Sequence, residues 1–306
     1  MLRRGVEGLR AEWVWRYLVG PLPFVVVLAA FSMHRLGAEQ IGLPALMILL
    51  YFLPQTKRAY PYLFPFVFFW CSYDTLRVLT PVFQKLNTPF VASPYHIEHA
   101  LFSIPYGGHW ITLNEFFQTH TSLIVDLAAA FAYAFYFYEA FILAFYLLAK
   151  NRPLLRRFGI AFILLNYITF ITWYTVPVAP PWYVELYGLG PADLKAPPSA
   201  ARLLEVDDWL GFPYFHDLYA KAANVFGALP SLHSAWPLLV WLYARKHVRP
   251  VYAWTIFAYW LLVAFSAVYL RHHYVIDIVL GCSYALLVYL VVEHYNRKWY
   301  SAAAAL

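Results

Sequence analysis

Charge is scarce in this sequence. Asp, Glu, Lys and Arg make up 12% of its 306 residues, against 62% that are hydrophobic. That is about half the charged share of a soluble domain, which excludes the ordinary water-soluble globular class. Cysteine is also rare. Cys71 and Cys282 both fall inside apolar runs and read as small buried side chains, leaving no basis for a disulfide framework or a cysteine metal centre. No internal repeat is visible, which argues against the inverted-repeat build common in transporters. The net charge is +6, but the basic residues sit at the ends of apolar runs, which argues against a nucleic-acid partner. No small-residue cleavage site follows the first apolar run, so that run reads as a retained signal anchor.

Apolar runs and aromatics are abundant. A helix of about 20 apolar residues crosses a bilayer, and backbone groups in lipid must bond within their own segment. The runs at 17–33, 40–54, 59–82, 122–149, 158–178, 229–244, 251–270 and 274–294 are therefore expected to be helices. The 12 Trp and 26 Tyr suit interfacial belts. The expected fold class is all-α: a polytopic integral membrane helix bundle with about six to eight spans and amphipathic interfacial helices. Residues 1–121 are read as N-terminal spans with an interfacial loop and 122–306 as the catalytic core, the two forming one integrated membrane domain.

Sidedness follows from the basic residues. With the N-terminus in the cytoplasm, the leader and the strings "QTKR", "KNRPLLRR", "RKHVRP" and "NRK" are cytoplasmic and hold fifteen of the 22 Lys and Arg. This is the positive-inside asymmetry of a multi-pass cell-membrane protein. Two long loops, 83–121 and 179–228, fall on the other side. The first, rich in aromatics, is expected to lie on the membrane as short amphipathic helices, and the second to hold a helix or two. In the first loop Glu98 and His99 read either as head-group ligands or as a solvated helix face.

Three polar motifs share that outer side: "VAPPWY" at 178–183, "LPSLHS" at 229–234 and "YLRHHYVID" at 269–277. At helical spacing Asp277 shares a face with His273 and can fix its tautomer, leaving the other ring nitrogen as base or nucleophile. The same spacing suits two metal ligands. His233 opens another helix on the same face, Ser231 and the free N–H groups there offer donors to an anion, and Arg271 adds positive charge. Two histidines beside an anion site are what phosphoryl transfer through a phosphohistidine needs. Within the spans, Asp74–Arg77 reads as an ion pair. Glu139 reads as bonded to Tyr133, Tyr136 or Tyr138, or as lining a lipid cavity.

The strings "PSLH" and "HxxxD" resemble the second and third signatures of the type 2 phosphatidic acid phosphatase superfamily. "APPWY", "FGALPSLHSA" and "YLRHHYVID" resemble its inositol phosphorylceramide synthase, aureobasidin-sensitive branch. The resemblance covers the C-terminal half well. It implies His273 as nucleophile, Asp277 as its partner and His233 as general acid, with no metal, no cofactor and a site on the non-cytoplasmic face. The residues expected to touch substrate are Ser231, Arg271, His272, Pro180, Pro181, Trp182 and Tyr274. Two departures matter. The family's first motif, a Lys followed at seven residues by Arg-Pro, is missing; Arg152-Pro153 and Arg249-Pro250 lie on the cytoplasmic side. The third motif lacks its Arg, reading Ser266-Ala267. A site poorer in cations favours a monoanionic diester over a monoester of about −1.5 to −2 charges.

The expected activity is a lipid phosphotransferase that moves a phospho-head group from a phospholipid donor to a lipid alcohol such as ceramide, with no obligate protein partner. The alternatives are a lipid phosphate phosphatase, a lipid transporter or scramblase, and a metal hydrolase using His233, His272, His273 and Asp277 as ligands.

Overall fold

The computed structural model describes residues 59–222 and 224–304, together with Val25; the side chains of residues 74–79 and 298–304 are not among those described. The predicted spans at 17–33 and 40–54, and the Asp74–Arg77 side chains, lie outside the described residues. Among the described residues the regular elements are helices apart from one short hairpin. In chain order the elements are α1 (Tyr60–Leu86), α2 (Ala92–Phe102), β1 (Ile104–Tyr106), β2 (His109–Ile111), α3 (Leu113–Thr119), α4 (Leu123–Lys150), α5 (Arg152–Thr175), α6 (Pro181–Tyr187), α7 (Leu203–Leu210), α8 (Tyr214–Tyr219), α9 (Leu232–Ala244), α10 (Pro250–Tyr269) and α11 (Val275–Ala304).

Four of these, α4, α5, α10 and α11, are long and apolar enough to cross a membrane. Their starts obey local rules. Arg152-Pro153 and Arg249-Pro250 each put proline in the first turn of a helix, α5 and α10, where its missing N–H costs nothing. The sixth predicted span is shorter than a crossing. At 13 residues, α9 is about 20 Å long, against a hydrocarbon core of about 30 Å. It needs no lipid-facing length because it is the centre of the bundle: eleven of its residues are buried, around its whole circumference, as expected of a helix that is apolar all round. Its Trp236, Leu239 and Tyr243 pack with Phe66 and Phe69 of α1, Leu147 of α4, Phe158 and Phe162 of α5 and Val288 of α11. A polar contact crosses this core, from the Trp236 indole N–H to Asn166 Oδ1 at 3.1 Å.

The bundle has a basic end and a histidine end. At the basic end the α4–α5 and α9–α10 turns and the later part of α11 meet. The Tyr146 hydroxyl donates to the His247 carbonyl at 3.2 Å, and Arg157 pairs with Glu293 at 2.6 Å. At the other end, the first long loop folds as the predicted short helices plus a hairpin pairing Ile104 with Ile111 and Tyr106 with His109. Its turn is Gly107-Gly108, both at positive φ (58° and 83°), the conformation a two-residue hairpin loop of this kind requires. The second long loop holds three short helices, α6 to α8. It is fastened to α4 by Arg202, whose Nε and Nη2 donate to the two oxygens of Asp126 at 3.0 and 2.9 Å, while the Tyr269 hydroxyl donates to Asp126 Oδ1 at 2.7 Å.

Candidate active site

The end of α10 makes the first bend of the site. The Arg271 N–H donates to the Val268 carbonyl at 2.9 Å and the His272 N–H to the Ala267 carbonyl at 3.1 Å, the paired bonds of a Schellman cap. The left-handed residue of this cap is Arg271, at φ 65°, where glycine is usual; a side chain there costs on the order of 1–2 kcal/mol. The chain reverses and delivers His272 and His273 just before α11 begins. A second bend comes from main-chain bridges. Val178 lies between Phe90 and Gly227: the Val178 N–H donates to the Phe226 carbonyl at 2.8 Å, and the Ala179 N–H to the Phe90 carbonyl at 3.0 Å. Three segments remote in sequence are clamped there, and the Ala228 carbonyl is brought to His273.

His273 Nδ1 is 2.9 Å from the Ala228 carbonyl oxygen and 3.4 Å from Asp277 Oδ2. A carbonyl only accepts, so Nδ1 carries the proton and Nε2 keeps its lone pair. His273 Nε2 lies 3.0 Å from His233 Nδ1, and in the neutral pair that bond therefore runs from His233 Nδ1–H to His273 Nε2. His273 precedes α11 rather than lying on it, and Asp277 reaches back across the first turn. Asp277 is fully buried. Its Oδ2 accepts the Tyr274 N–H at 2.9 Å, and its main-chain carbonyl accepts the Ser231 N–H at 3.0 Å. The helix that carries His233 and the helix that carries Asp277 are thus tied at their first residues. They also touch at Gly281, where an added Cβ would stand 2.3 Å from the Ser231 carbonyl oxygen.

A family model described as the PAP2 superfamily matches residues 96–291, a stretch that contains both histidines and Asp277. This chain belongs to the PAP2 superfamily. Among curated proteins, the phosphoinositol dihydroceramide synthase of Bacteroides thetaiotaomicron is 33% identical over 286 residues, covering 89% of this chain and 91% of that protein. The catalytic subunit of inositol phosphorylceramide synthase of Schizosaccharomyces pombe is 31% identical over 193 residues, 62% of this chain and 45% of that protein. The inositol phosphorylceramide synthase of Candida albicans is 32% identical over 197 residues, 62% and 40%. The chain thus spans less than half the length of these two fungal relatives. No solved structure matches the chain significantly.

Within this PAP2 member the other predicted site residues are placed as follows. Ser231 is the N-cap of α9 and fully buried; its N–H is engaged by Asp277, and its Oγ has no partner among the described residues. The Arg271 guanidinium pairs with Glu185, and its Nε is buried without a partner among the described residues. The Trp182 N–H donates to the Arg271 carbonyl at 3.0 Å, so "APPWY", with Pro180 as N-cap and Pro181 opening α6, docks on the α10 cap. Tyr274 is buried and, with Pro181, lines an outward-facing cavity of about 220 Å³. His272 is a wall residue. Its Nε2 donates to the Ala200 carbonyl at 3.2 Å, and its ring lies between Tyr133 (5.2 Å) and Tyr219 (4.6 Å). Burial, then the neighbouring His273, push its imidazole down to about 3. Among the described residues no three His, Cys, Asp or Glu side chains converge as metal ligands would.

Other residues take roles that the sequence did not assign to them. Glu98 is fully buried rather than solvated. Its two oxygens accept the Val275 and Ile276 N–H groups at 2.9 and 3.0 Å, capping α11 from another part of the chain. Burial pushes its carboxyl up, with the two main-chain donors opposing. Asn114 Nδ2 donates to the carbonyls of Val268 and His273, both at 3.0 Å. His99, by contrast, is a surface group on the Trp110 carbonyl at 2.9 Å. Around His233, Tyr133 stacks at 4.1 Å and Tyr136 tilts against it at 4.5 Å.

Proposed function

We propose that this membrane protein is a lipid phosphotransferase that moves phosphoinositol from a phospholipid to a ceramide-type lipid alcohol through a phosphohistidine at His273. The observation that carries the reading is the facing pair: a lone pair on His273 Nε2, held by the Ala228 carbonyl on Nδ1, opposite a donor on His233 at 3.0 Å. Similarity to synthases named for phosphoinositol dihydroceramide and inositol phosphorylceramide supports the choice of head group and acceptor.

In the first half-reaction the donor phosphate enters between the two imidazoles. His233 takes up a proton from solvent at that point, and the phosphate anion stabilises the resulting imidazolium. His273 Nε2 forms a bond to phosphorus as the bond from phosphorus to the diacylglycerol oxygen breaks. His233 gives its proton to that oxygen, so diacylglycerol leaves as the alcohol. The phosphorylated His273 ring is positive, and the Ala228 carbonyl and the Asp277 carboxylate offset that charge at Nδ1. In the second half-reaction the acceptor hydroxyl gives its proton to His233 and attacks phosphorus. The P–N bond breaks, leaving His273 neutral and His233 an imidazolium, which returns its proton to solvent as the product leaves. His272, neutral and bonded to Ala200, moves no proton. The charge of Arg271 is offset by Glu185, which agrees with a monoanionic donor rather than a phosphate monoester.

We place the site on the non-cytoplasmic face of the cell membrane, because the basic turns meet at the other end of the bundle. A membrane-impermeant thiol reagent reaches Lys195→Cys in intact cells and not Arg156→Cys; the reverse labelling overturns the orientation. The activity is tested by giving the purified protein phosphatidylinositol or phosphatidic acid with ceramide, with and without chelator. The expected product is a new phosphoinositol lipid plus diacylglycerol, insensitive to chelator. Faster consumption of phosphatidic acid with release of free phosphate makes the protein a phosphatase.

A further inference from the structure

Glu139 carries a carboxyl group near the middle of α4, inside a candidate membrane span. One of its oxygens, Oε2, is buried and has no hydrogen-bond partner among the described residues. A carboxyl at that depth is costly unless something bonds it. The structure does not join it to Tyr133, Tyr136 or Tyr138 by a hydrogen bond. It does put it on a continuous polar stripe that begins at the reacting pair. Tyr133, Tyr136 and Glu139 follow one another at a spacing of three residues, which makes them neighbours along one helix surface. The first two lie on the His233 ring, at 4.1 and 4.5 Å. Glu139 sits six residues beyond Tyr133, about 9 Å along the axis, with its side chain directed back towards the N-terminal, histidine end. Tyr259 of α10 faces the same stripe, within electrostatic reach of both Tyr136 and Glu139. Its hydroxyl is spent on the Ala132 carbonyl at 2.9 Å, so it leaves the carboxylate to another donor.

We propose that Glu139, with Tyr136 beside it, receives the polar head of the acceptor lipid, and that it selects a lipid alcohol carrying a second donor, an amide N–H or a further hydroxyl, a few atoms from the reacting oxygen. The inference rests on the transferase reading above and adds the residue that chooses the acceptor. The buried oxygen Oε2 lacks a donor among the described residues, so it is satisfied by an alcohol that brings one. It is left unpaired by one whose neighbouring groups are esters, as in diacylglycerol. The reacting hydroxyl then lies between Glu139 and His233, at the level of Tyr136. Glu139 makes no contact with the transferred phosphate and takes no proton in the reaction. It is a specificity residue, and the donor half-reaction does not need it.

The test compares two acceptors, ceramide and diacylglycerol, with wild type, Glu139→Gln and Glu139→Leu. Transfer to ceramide is read as new phosphoinositol lipid, and transfer to diacylglycerol as exchange of labelled diacylglycerol into phosphatidylinositol. Wild type is expected to favour ceramide. Glu139→Leu raises KM for ceramide at least tenfold while the diacylglycerol exchange rate and KM for phosphatidylinositol stay within twofold of wild type. Glu139→Gln, which keeps an acceptor oxygen, falls between. An unchanged ceramide KM in Glu139→Leu overturns the proposal. So does an equal loss with both acceptors, because that is the signature of a structural role. Wild type that forms no new phosphoinositol lipid with either acceptor, but releases water-soluble phosphate, overturns the transferase reading and this inference with it. Should the Leu variant not fold, the Gln variant decides by the same comparison.

Discussion

The two ends of the helix bundle use charge in opposite ways. At the basic end Lys150, Arg152, Arg156, Lys246 and Arg249 are exposed, and the ion pair described there, Arg157–Glu293, is partly open to solvent at 24% and 13%. At the histidine end three carboxyl side chains are buried and spent on the backbone. Glu98 holds two N–H groups, Asp277 one, and Asp207 those of Phe215 and His216 at 2.8 and 2.7 Å. Charge at the first end sets orientation, a sum over many residues in which no single member matters much. Charge at the second end sets position, and each member has partners that nothing else can satisfy. The first kind of end can be read by counting, and the second only by knowing what touches what.

The sharpest way to break this comparison is to remove a reacting group. His273→Ala is expected to lower kcat by about 10³-fold or more with the unfolding temperature in detergent close to wild type; near-normal turnover ends the proposed mechanism. His233→Ala removes the proposed general acid, an expected effect on the order of 10²–10⁴ in rate, measured as single-turnover formation of the phosphorylated enzyme.

Next come the groups that position. Glu98→Ala strands two N–H groups at the start of α11, each costing about 1–3 kcal/mol. It is expected to lower both the unfolding temperature and kcat, the latter at least tenfold, with KM for donor little changed. Glu98→Gln, which keeps one acceptor, recovers part of both. A variant as active as wild type would mean that the cap does not hold Asp277.

A smaller effect is expected from His272. An unfolded histidine takes up its proton near 6.5, but folded His272 does so only at about 3. Between these values the unfolded state binds more protons, so stability falls as pH drops from about 6.5 towards 3. His272→Gln should flatten that part of a plot of unfolding temperature against pH; an unchanged slope would place the acid sensitivity elsewhere. The smallest change is expected at the other end. Arg157→Ala should alter stability by about 1 kcal/mol or less and leave activity unchanged, as checked by unfolding and by turnover in the same preparation.

The same contrast explains what could be read in the sequence. The spans α4, α5, α10 and α11 were legible because hydropathy over about 20 residues is a local property. His233, His273 and Asp277 were legible as a group because the topology brought three motifs to one end, and the family resemblance gave them roles. The hairpin at 104–111 carried a readable signal, Gly-Gly between two short apolar-aromatic strings, which the expectation of helices passed over. The acceptor on His273 Nδ1 had none. It is the main-chain carbonyl of Ala228, and a carbonyl is the same whatever the residue. The roles of Glu98 and Asn114 were hidden for a related reason. They act on main-chain groups 177 and 159 residues away, and nothing in the string "HIEHALF" distinguishes a helix cap from a wet surface. The central position of α9 was hidden too, because a short apolar run looks the same whether lipid or protein surrounds it.

Gly281 bears on how the site can work in time. With the two backbones this close, and with the Ser231 N–H on the Asp277 carbonyl, α9 and α11 form a joint without slack. Neither can slide or roll on the other without driving α11 into the Ser231 carbonyl. Two lipids must nevertheless come and go in each cycle. Their passage has to be accommodated away from this joint, while the imidazoles adjust by rotating about their own side-chain bonds, a motion far faster than helix displacement. The reacting pair is in that sense a fixed bench at which substrates are exchanged, and a cross-link between α9 and α11 at their first turns would leave its turnover intact.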